Sequence, residues 1–318
     1  MSGPRVHRLS YAVDVAAPAG VVYALIADTT QWPLFVPPSI HVERLDFDGV
    51  RDRFRIWATA NGSVSSWLSR RTLDACARRI DFRQELPAAP LLAMGGSWTV
   101  EELGPDRSRL LLSHEYEVAA DRPGDAEWVR RATDTNSLAE LAQLKDTAER
   151  WGRLDGLLLA FEDAVRVKGP AQLVYDFLYG IADWPGRVPH VARAEVTEDS
   201  PGVQMVSMDT RTGDGRQHHT ESVRICFPYA GRIVHKQTRP PALLAAHAGE
   251  WSLLPDETGV TAVAQHRVLL REEAVERELG RGATLADARA HVREALGRAS
   301  LSTLELARRH AESAVRML

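Results

Sequence analysis

Alternation between apolar and polar positions runs through most of the chain. From His7 to Val15, the residues Leu9, Tyr11, Val13 and Val15 share one face, the period-two signature of a half-buried strand. Pro18 then opens a helix, where its missing N–H costs nothing. The pattern ends this helix by about Asp28, before Trp32-Pro33. Alternating segments follow near 40–46, 51–60, 63–73, 78–85, 94–102 and 108–118. Asp48-Gly49, Asn61-Gly62 and Gly104-Pro105 separate them, and Asn-Gly between two such runs is a strong hairpin signal. A long helix is predicted from about Asp125 to Trp151, with Leu138, Leu141 and Leu144 on one stripe.

The pattern then starts again. A strand near 160–167, a helix from Pro170, and strands near 188–198, 203–212, 216–226, 231–238, 246–254 and 260–270 precede a helix from about Leu285 to Met317. Pro18, Tyr23, Trp32, Pro33 and Pro37 recur as Pro170, Tyr175, Trp184, Pro185 and Pro189, each 152 residues later. Arg79-Ile80, Gln84, Pro87 and Trp98 recur as Arg232-Ile233, Gln237, Pro240 and Trp251, each 153 residues later. A repeat of this length is domain-sized, far above the ~20–50 residues of solenoid units. It predicts two copies of one fold, residues 1–152 and 153–318, with the linker near 150–158. The element order predicts an α+β class, with a curved antiparallel sheet wrapping the last helix of each copy around a cavity.

Composition narrows the function classes. The chain is 44% hydrophobic and 26% charged, as in globular proteins that fold in water. A net charge of -4 argues against nucleic-acid binding, which wants a basic excess. Cys76 and Cys226 have neither metal nor redox spacing, and no Cys/His cluster has ligand spacing, so no metal is expected. Gly95-Gly96 lacks the Lys-Ser/Thr pair of a phosphate loop. No signal-peptide core stands in Met1–Val15 and no stretch approaches the ~18 apolar residues of a membrane span, so the cytoplasm is the expected location.

Strand phase nominates the polar groups that face the cavity. In 108–118, Leu110, Leu112, His114, Tyr116 and Val118 form the apolar face, so His114 is expected inward. A core histidine satisfied by a neighbour is the bland alternative. In 63–73, the odd face carries Ser65, Trp67, Ser69, Arg71 and Leu73, and its inward placement would bury Arg71. The even face, with Val64, Leu68 and Arg70, is the rival. Asp134 precedes Leu138 by four and Leu141 by seven, which puts it on the predicted stripe of the long helix; a carboxylate favoured by the helix dipole is the alternative. The second copy repeats Trp184, Ser222, Arg224 and His266 but has no counterpart of Asp134, and Thr220 stands for Trp67.

The opening segment "VAAPAGVVYALIADTTQWPLF", the strand motif "SWLSRR" and the final helix resemble the bacterial aromatic polyketide aromatase/cyclases, of the helix-grip superfamily that includes START and Bet v1-like domains. The tandem arrangement resembles their di-domain subgroup. The resemblance implies first-ring aldol cyclisation, C7–C12, with dehydration and aromatisation. Its substrate would be a ketoreductase-reduced poly-β-ketone on an acyl carrier protein, handled beside other type II polyketide synthase components without a cofactor. It implies catalytic roles for Arg71, His114 and Asp134, and substrate contacts from Trp32, Trp67, Ser69 and Tyr116. Arg71 would hold the developing oxyanion, His114 would move protons, and Asp134 would orient His114 or remove a carbon-bound proton. Trp184, Ser222, Arg224 and His266 would form a second, auxiliary pocket. A non-catalytic carrier of a hydrophobic small molecule is the alternative function.

Overall fold

The structure, a computed structural model, describes residues 5–118, 124–211 and 217–316. The expected strand limits at 212 and 216 and the helix end at Met317 lie outside the described residues. The chain divides into two units, Met1–Leu154 and Asp155–Leu318.

In the first unit seven strands form one antiparallel sheet: β1 (Arg5–Val15), β2 (Ser39–Phe47), β3 (Arg51–Ala60), β4 (Ser63–Asp74), β5 (Arg79–Leu86), β6 (Leu91–Gly104) and β7 (Arg107–Val118). Their order is β1-β7-β6-β5-β4-β3-β2, a meander whose last strand returns to pair with the first. Asn61 and Gly62 close the β3–β4 hairpin with positive φ at both residues (49° and 82°), the conformation Asn-Gly adopts at low cost. A short helix, Ala19–Ala27, follows β1, and the long helix Asp125–Glu149 follows β7. The second unit repeats the order with β8 (Leu158–Val167), β9 (Val191–Ser200), β10 (Val203–Arg211), β11 (Gln217–Phe227), β12 (Arg232–Arg239), β13 (Leu244–Asp256) and β14 (Gly259–Leu270). Its helices are Ala171–Tyr179 and Leu285–Arg316, among shorter turns. The α+β helix-grip fold expected from the element order is the fold observed.

The phase of the long helix in the first unit departs from expectation. Val129, Ala132, Thr133, Ser137, Leu141, Leu144, Thr147 and Ala148 are buried, whereas Leu138 is 60% exposed. The buried stripe is mostly small or hydroxylic, because part of it faces a cavity instead of close-packed side chains. Leu141 and Leu144 belong to it; Leu138 and the positions phased on it do not.

One row of side chains crosses each sheet. In the first unit Arg71 pairs with Phe82, Phe82 with Gly96, Gly96 with His114, and His114 with Leu9. In the second, Arg224 pairs with His235, His235 with Gly249, Gly249 with His266, and His266 with Phe161. Directly paired residues share a face of the sheet. The central glycine is required in both rows. A Cβ at Gly96 would lie 1.9 Å from the Ser113 carbonyl oxygen and 2.7 Å from the Phe82 ring, and one at Gly249 would lie 2.6 Å from the His235 ring.

Candidate active site

The sheet and long helix of the first unit enclose a cavity of about 170 Å³. Trp32, Trp67, Ser69, Arg71 and His114, all nominated from strand phase or resemblance, line it. The odd face of β4 is therefore the inward one. Most of the remaining lining is apolar, including Ile26, Val36, Phe54, Ile56, Phe82 and Trp98.

Arg71 is buried and almost fully engaged. Its Nη2 donates to Asp52 Oδ2 at 2.6 Å and to the Ala27 carbonyl at 2.6 Å, and Nη1 donates to the Ile26 carbonyl at 2.8 Å. Those carbonyls end the helix Ala19–Ala27, where a cation is favoured by the dipole. The side chains of Arg71 and Asp52 are both 0% exposed. Burial draws the guanidinium below its usual range, and Asp52 opposes that shift. The rings of Trp32 and Phe54 lie 5.2 and 5.4 Å from the guanidinium carbon. Nε is buried without a partner. Asp52 is in phase with Phe54, Ile56 and Ala58 on β3, so the alternation of that strand carried the signal for this inward carboxylate.

His114 reaches the long helix. Its Nε2 is 3.1 Å from Ser137 Oγ, and its Nδ1 is buried without a partner. Burial lowers its pKa to about 4, so the ring is neutral at pH 7. Ser69 is committed to the Arg83 carbonyl, to which it donates at 3.3 Å.

Two nominated residues lie off the cavity. Asp134 accepts a hydrogen bond from the Tyr11 hydroxyl at 2.5 Å and pairs with Arg130 Nη1 at 2.6 Å, with its side chain 31% exposed. Its placement on the inward stripe rested on Leu138 and Leu141; Leu141 is buried, but Leu138 faces out, and Asp134 lies at the margin of the buried face. Asp134 does not orient His114 directly. It touches Tyr11, whose ring packs edge-on to His114 at 6.2 Å, and the Ser137 hydroxyl also acts on the Tyr11 phenol. Tyr116 is inward and buried, yet it stacks on His7 at 5.0 Å and does not line the cavity. Asp134→Ala is expected to leave the product distribution unchanged and to cost about 1 kcal/mol of stability. Thermal unfolding and product analysis check this; a large loss of turnover at unchanged stability would return Asp134 to the reaction.

The carboxyl that does enter the cavity is Glu140. It stands three residues beyond Ser137 and four before Leu144, one helical turn from the serine that holds His114. The residue is half-buried on the cavity lining, and burial alone pushes its carboxyl up to about 8. At pH 7 it is a neutral acid. Phasing the helix on Leu141 and Leu144 alone would have placed Thr133, Ser137, Glu140 and Leu144 together. Trp32 Nε1 and Gln84 Oε1, also on the lining, are buried without hydrogen-bond partners.

The second unit keeps the arginine but changes its surroundings. Gln204, 152 residues after Asp52, accepts from Arg224 Nη1 at 2.8 Å, and the Leu178 carbonyl accepts from Nη2 at 2.5 Å. A neutral amide thus replaces the carboxylate. Trp184 is buried 5.9 Å from the guanidinium carbon and donates from Nε1 to the Phe177 carbonyl at 3.1 Å. His266 Nε2 lies 2.7 Å from Ser300 Oγ and its Nδ1 lies 3.0 Å from His247 Nε2. Ser222 is half-buried on β11.

Residues 6–149 match the family described as "Polyketide cyclase / dehydrase and lipid transport". The chain is 39% identical to the granaticin polyketide synthase bifunctional cyclase/dehydratase of Streptomyces violaceoruber over 315 residues, covering 99% of this chain and 96% of that protein. It is 41% identical to the actinorhodin polyketide synthase bifunctional cyclase/dehydratase of Streptomyces coelicolor over 326 residues, covering 99% and 98%. Among solved structures, the di-domain ARO/CYC BexL from the BE-7585A biosynthetic pathway matches with a TM-score of 0.84 at 44% identity, over 96% of this chain and 99% of that one. The di-domain ARO/CYC StfQ from the steffimycin biosynthetic pathway matches with a TM-score of 0.81 at 35% identity, over the same shares.

Proposed function

The chain belongs to the di-domain aromatase/cyclases of type II polyketide synthases, and from that premise we propose that the first unit closes and dehydrates the first ring of a poly-β-ketone. The enzyme is a cyclase/dehydratase of polyketide synthesis. The finer reading is a C7–C12 closure on a ketoreductase-reduced chain delivered by an acyl carrier protein.

One observation carries this reading. A protonated carboxyl, Glu140 on the long helix, and a neutral imidazole, His114 on β7 and held by Ser137 one helical turn before Glu140, line one apolar cavity. Groups whose environments push their pKa values apart supply an acid and a base at one pH. His114 Nδ1, free of other partners, takes the proton from the methylene carbon, and the resulting enolate carbon attacks the ketone. Glu140 gives its proton to the alkoxide. In the dehydration the roles exchange: the Glu140 carboxylate removes the second carbon-bound proton while the imidazolium protonates the departing hydroxyl. Water leaves, and both groups return to their starting states.

The other nominated residues position the chain. The Trp32 and Trp67 rings supply apolar walls that restrict its folding, while the unsatisfied Trp32 Nε1–H and Gln84 Oε1 suit a ketone and a hydroxyl that displace the side chains covering them. Arg71, with both Nη groups engaged and its charge matched by Asp52, keeps only its Nε–H for an enolate oxygen.

Reconstitution with a minimal polyketide synthase, with and without a ketoreductase, tests the reading. Adding the protein to the reductase-containing system is expected to convert a shunt mixture into a single first-ring product. The same spontaneous mixture in its presence and absence would overturn it, and a single product only without the reductase would overturn the reduced-substrate reading.

A further inference from the structure

The sheet of the second unit gathers three histidines that are far apart in the chain. His235 lies on β12, His247 on β13 and His266 on β14, and one ligand nitrogen from each falls within 4.8 Å of the others. His235 and His266 sit in one cross-strand row on either side of Gly249, with His247 two residues along β13. The row in the first unit has the same skeleton but carries Phe82 and Met94 where the second has His235 and His247, each 153 residues later. Two apolar side chains in one copy are thus imidazoles in the other.

The surroundings hold the ligand atoms close together, two of them hydrogen-bonded to each other, a contact that an ion would replace. His247 Nδ1 is 2.9 Å from Gln237 Oε1, and His266 Nε2 is 2.7 Å from Ser300 Oγ. Such contacts fix ring orientation and leave the opposite nitrogen of each ring to a ligand. Those opposite nitrogens, His247 Nε2 and His266 Nδ1, face each other at 3.0 Å. His235 Nδ1 is buried with no hydrogen-bond partner. Stacking of His266 on Phe161 at 4.8 Å and on His247 at 5.3 Å holds the rings in place.

We propose that His235, His247 and His266 form a binding site for a divalent transition-metal ion of the zinc class, with three imidazole ligands and a position left for an oxygen donor. A tetrahedral zinc with bonds of about 2.0–2.1 Å spaces its ligand nitrogens about 3.4 Å apart. The observed pair lies at 3.0 Å and the third nitrogen within 4.8 Å of both, so binding spreads the pair slightly and draws the third ring in. Neutral nitrogen donors suit zinc, copper, nickel or cobalt over magnesium or calcium. Arg224, paired with His235 in the row, opposes a dication and sets the affinity below that of a site with carboxylate or thiolate ligands.

The test uses the full chain, stripped with chelator and titrated with zinc by calorimetry and with cobalt by absorption spectroscopy. One equivalent is expected to bind with a micromolar or tighter Kd, with cobalt bands of low-symmetry nitrogen coordination. His235→Phe and His247→Met, which restore the first unit's own residues, are each expected to weaken binding by at least about 100-fold while the thermal unfolding profile without metal is retained. His219→Ala removes the exposed His219 beside Asp209 and Glu221 and is expected to change nothing. Binding lost with His219→Ala, or retained in the His235 and His247 variants, would overturn the site, as would no zinc binding at 100-fold higher concentration. X-ray absorption of the zinc-loaded wild type needs no variant. A nitrogen/oxygen shell at about 2.0–2.1 Å with imidazole scattering from three rings is expected. Fewer than three imidazoles would overturn the assignment.

Discussion

Asp52→Ala and Arg71→Ala are each expected to lower the stability of the first unit by about 3–5 kcal/mol, because the first leaves a buried guanidinium without its anion and the second leaves Asp52 only the longer contacts to Arg44 Nε at 3.5 Å and Thr29 Oγ1 at 3.4 Å. Both side chains are 0% exposed and 2.6 Å apart, so water cannot take over the lost contact. The Asp52 exchange frees Arg71 Nη2 of its anion, and the Arg71 exchange also strips the Ile26 and Ala27 carbonyls of their donors. The catalytic role that the family resemblance implies for Arg71 invites a variant that keeps its fold and loses only chemistry; the buried pair argues for a variant that loses both. Asp52→Gln is the informative partner experiment, since Gln204 holds Arg224 in the second unit in this way. It is expected to cost less than Asp52→Ala. Denaturant unfolding of the full chain, with the first-unit transition followed by Trp32 and Trp67 fluorescence, reads these shifts. A transition unmoved by Asp52→Ala would remove the pair from the stability of the unit.

Glu140→Gln is expected to reduce turnover by about 100- to 10,000-fold, the range associated with one positioned proton-transfer group, while substrate-analogue binding changes only a few-fold. Glutamine keeps the shape and the polarity but has no proton to give. In the wild type, the acid limb that depends on the Glu140 proton fails as pH rises through about 8. The stability effect has the same direction. The folded-state pKa lies above the unfolded one, so the contribution of Glu140 is fully present below about pH 4.5 and is lost as pH rises through about 8. His114 has the opposite sign. Its folded pKa is about 4 against 6.5, so its contribution is present above pH 6.5 and fades as pH falls toward 4. Glu140→Gln is expected to remove the alkaline loss of stability and leave the acid one. A variant with near-normal turnover would show that Glu140 only shapes the wall.

The strands were legible in the sequence because period-two alternation is a direct record of which face is buried. It placed Trp67, Ser69, Arg71 and His114 on the inner faces of β4 and β7, where they lie. The long helix was harder. A helix face that borders a cavity need not be apolar, and this one presents Thr133, Ser137 and Glu140 while an exposed Leu138 imitates the core. Phasing on Leu138 drew Asp134 inward and left Glu140 unnoticed. Asp52 was hidden differently, as a single acid inside an otherwise apolar alternation. The three histidines of the second unit have no ligand spacing along the chain. Only the register of β12, β13 and β14 brings them together, and register is set by pairing across strands, not by neighbours in sequence.

The grip of Arg71 on the Ile26 and Ala27 carbonyls also has a mechanical meaning. A long reactive chain needs the cavity wall to yield as it enters. On the side of the Ala19–Ala27 helix, yielding breaks an ion pair and two charge-assisted hydrogen bonds together, so that side behaves as a rigid jamb. The compliance must come from lining that carries no such clamp, at Ala88 and Ala89 between β5 and β6 and at Trp128 in the first turn of the long helix.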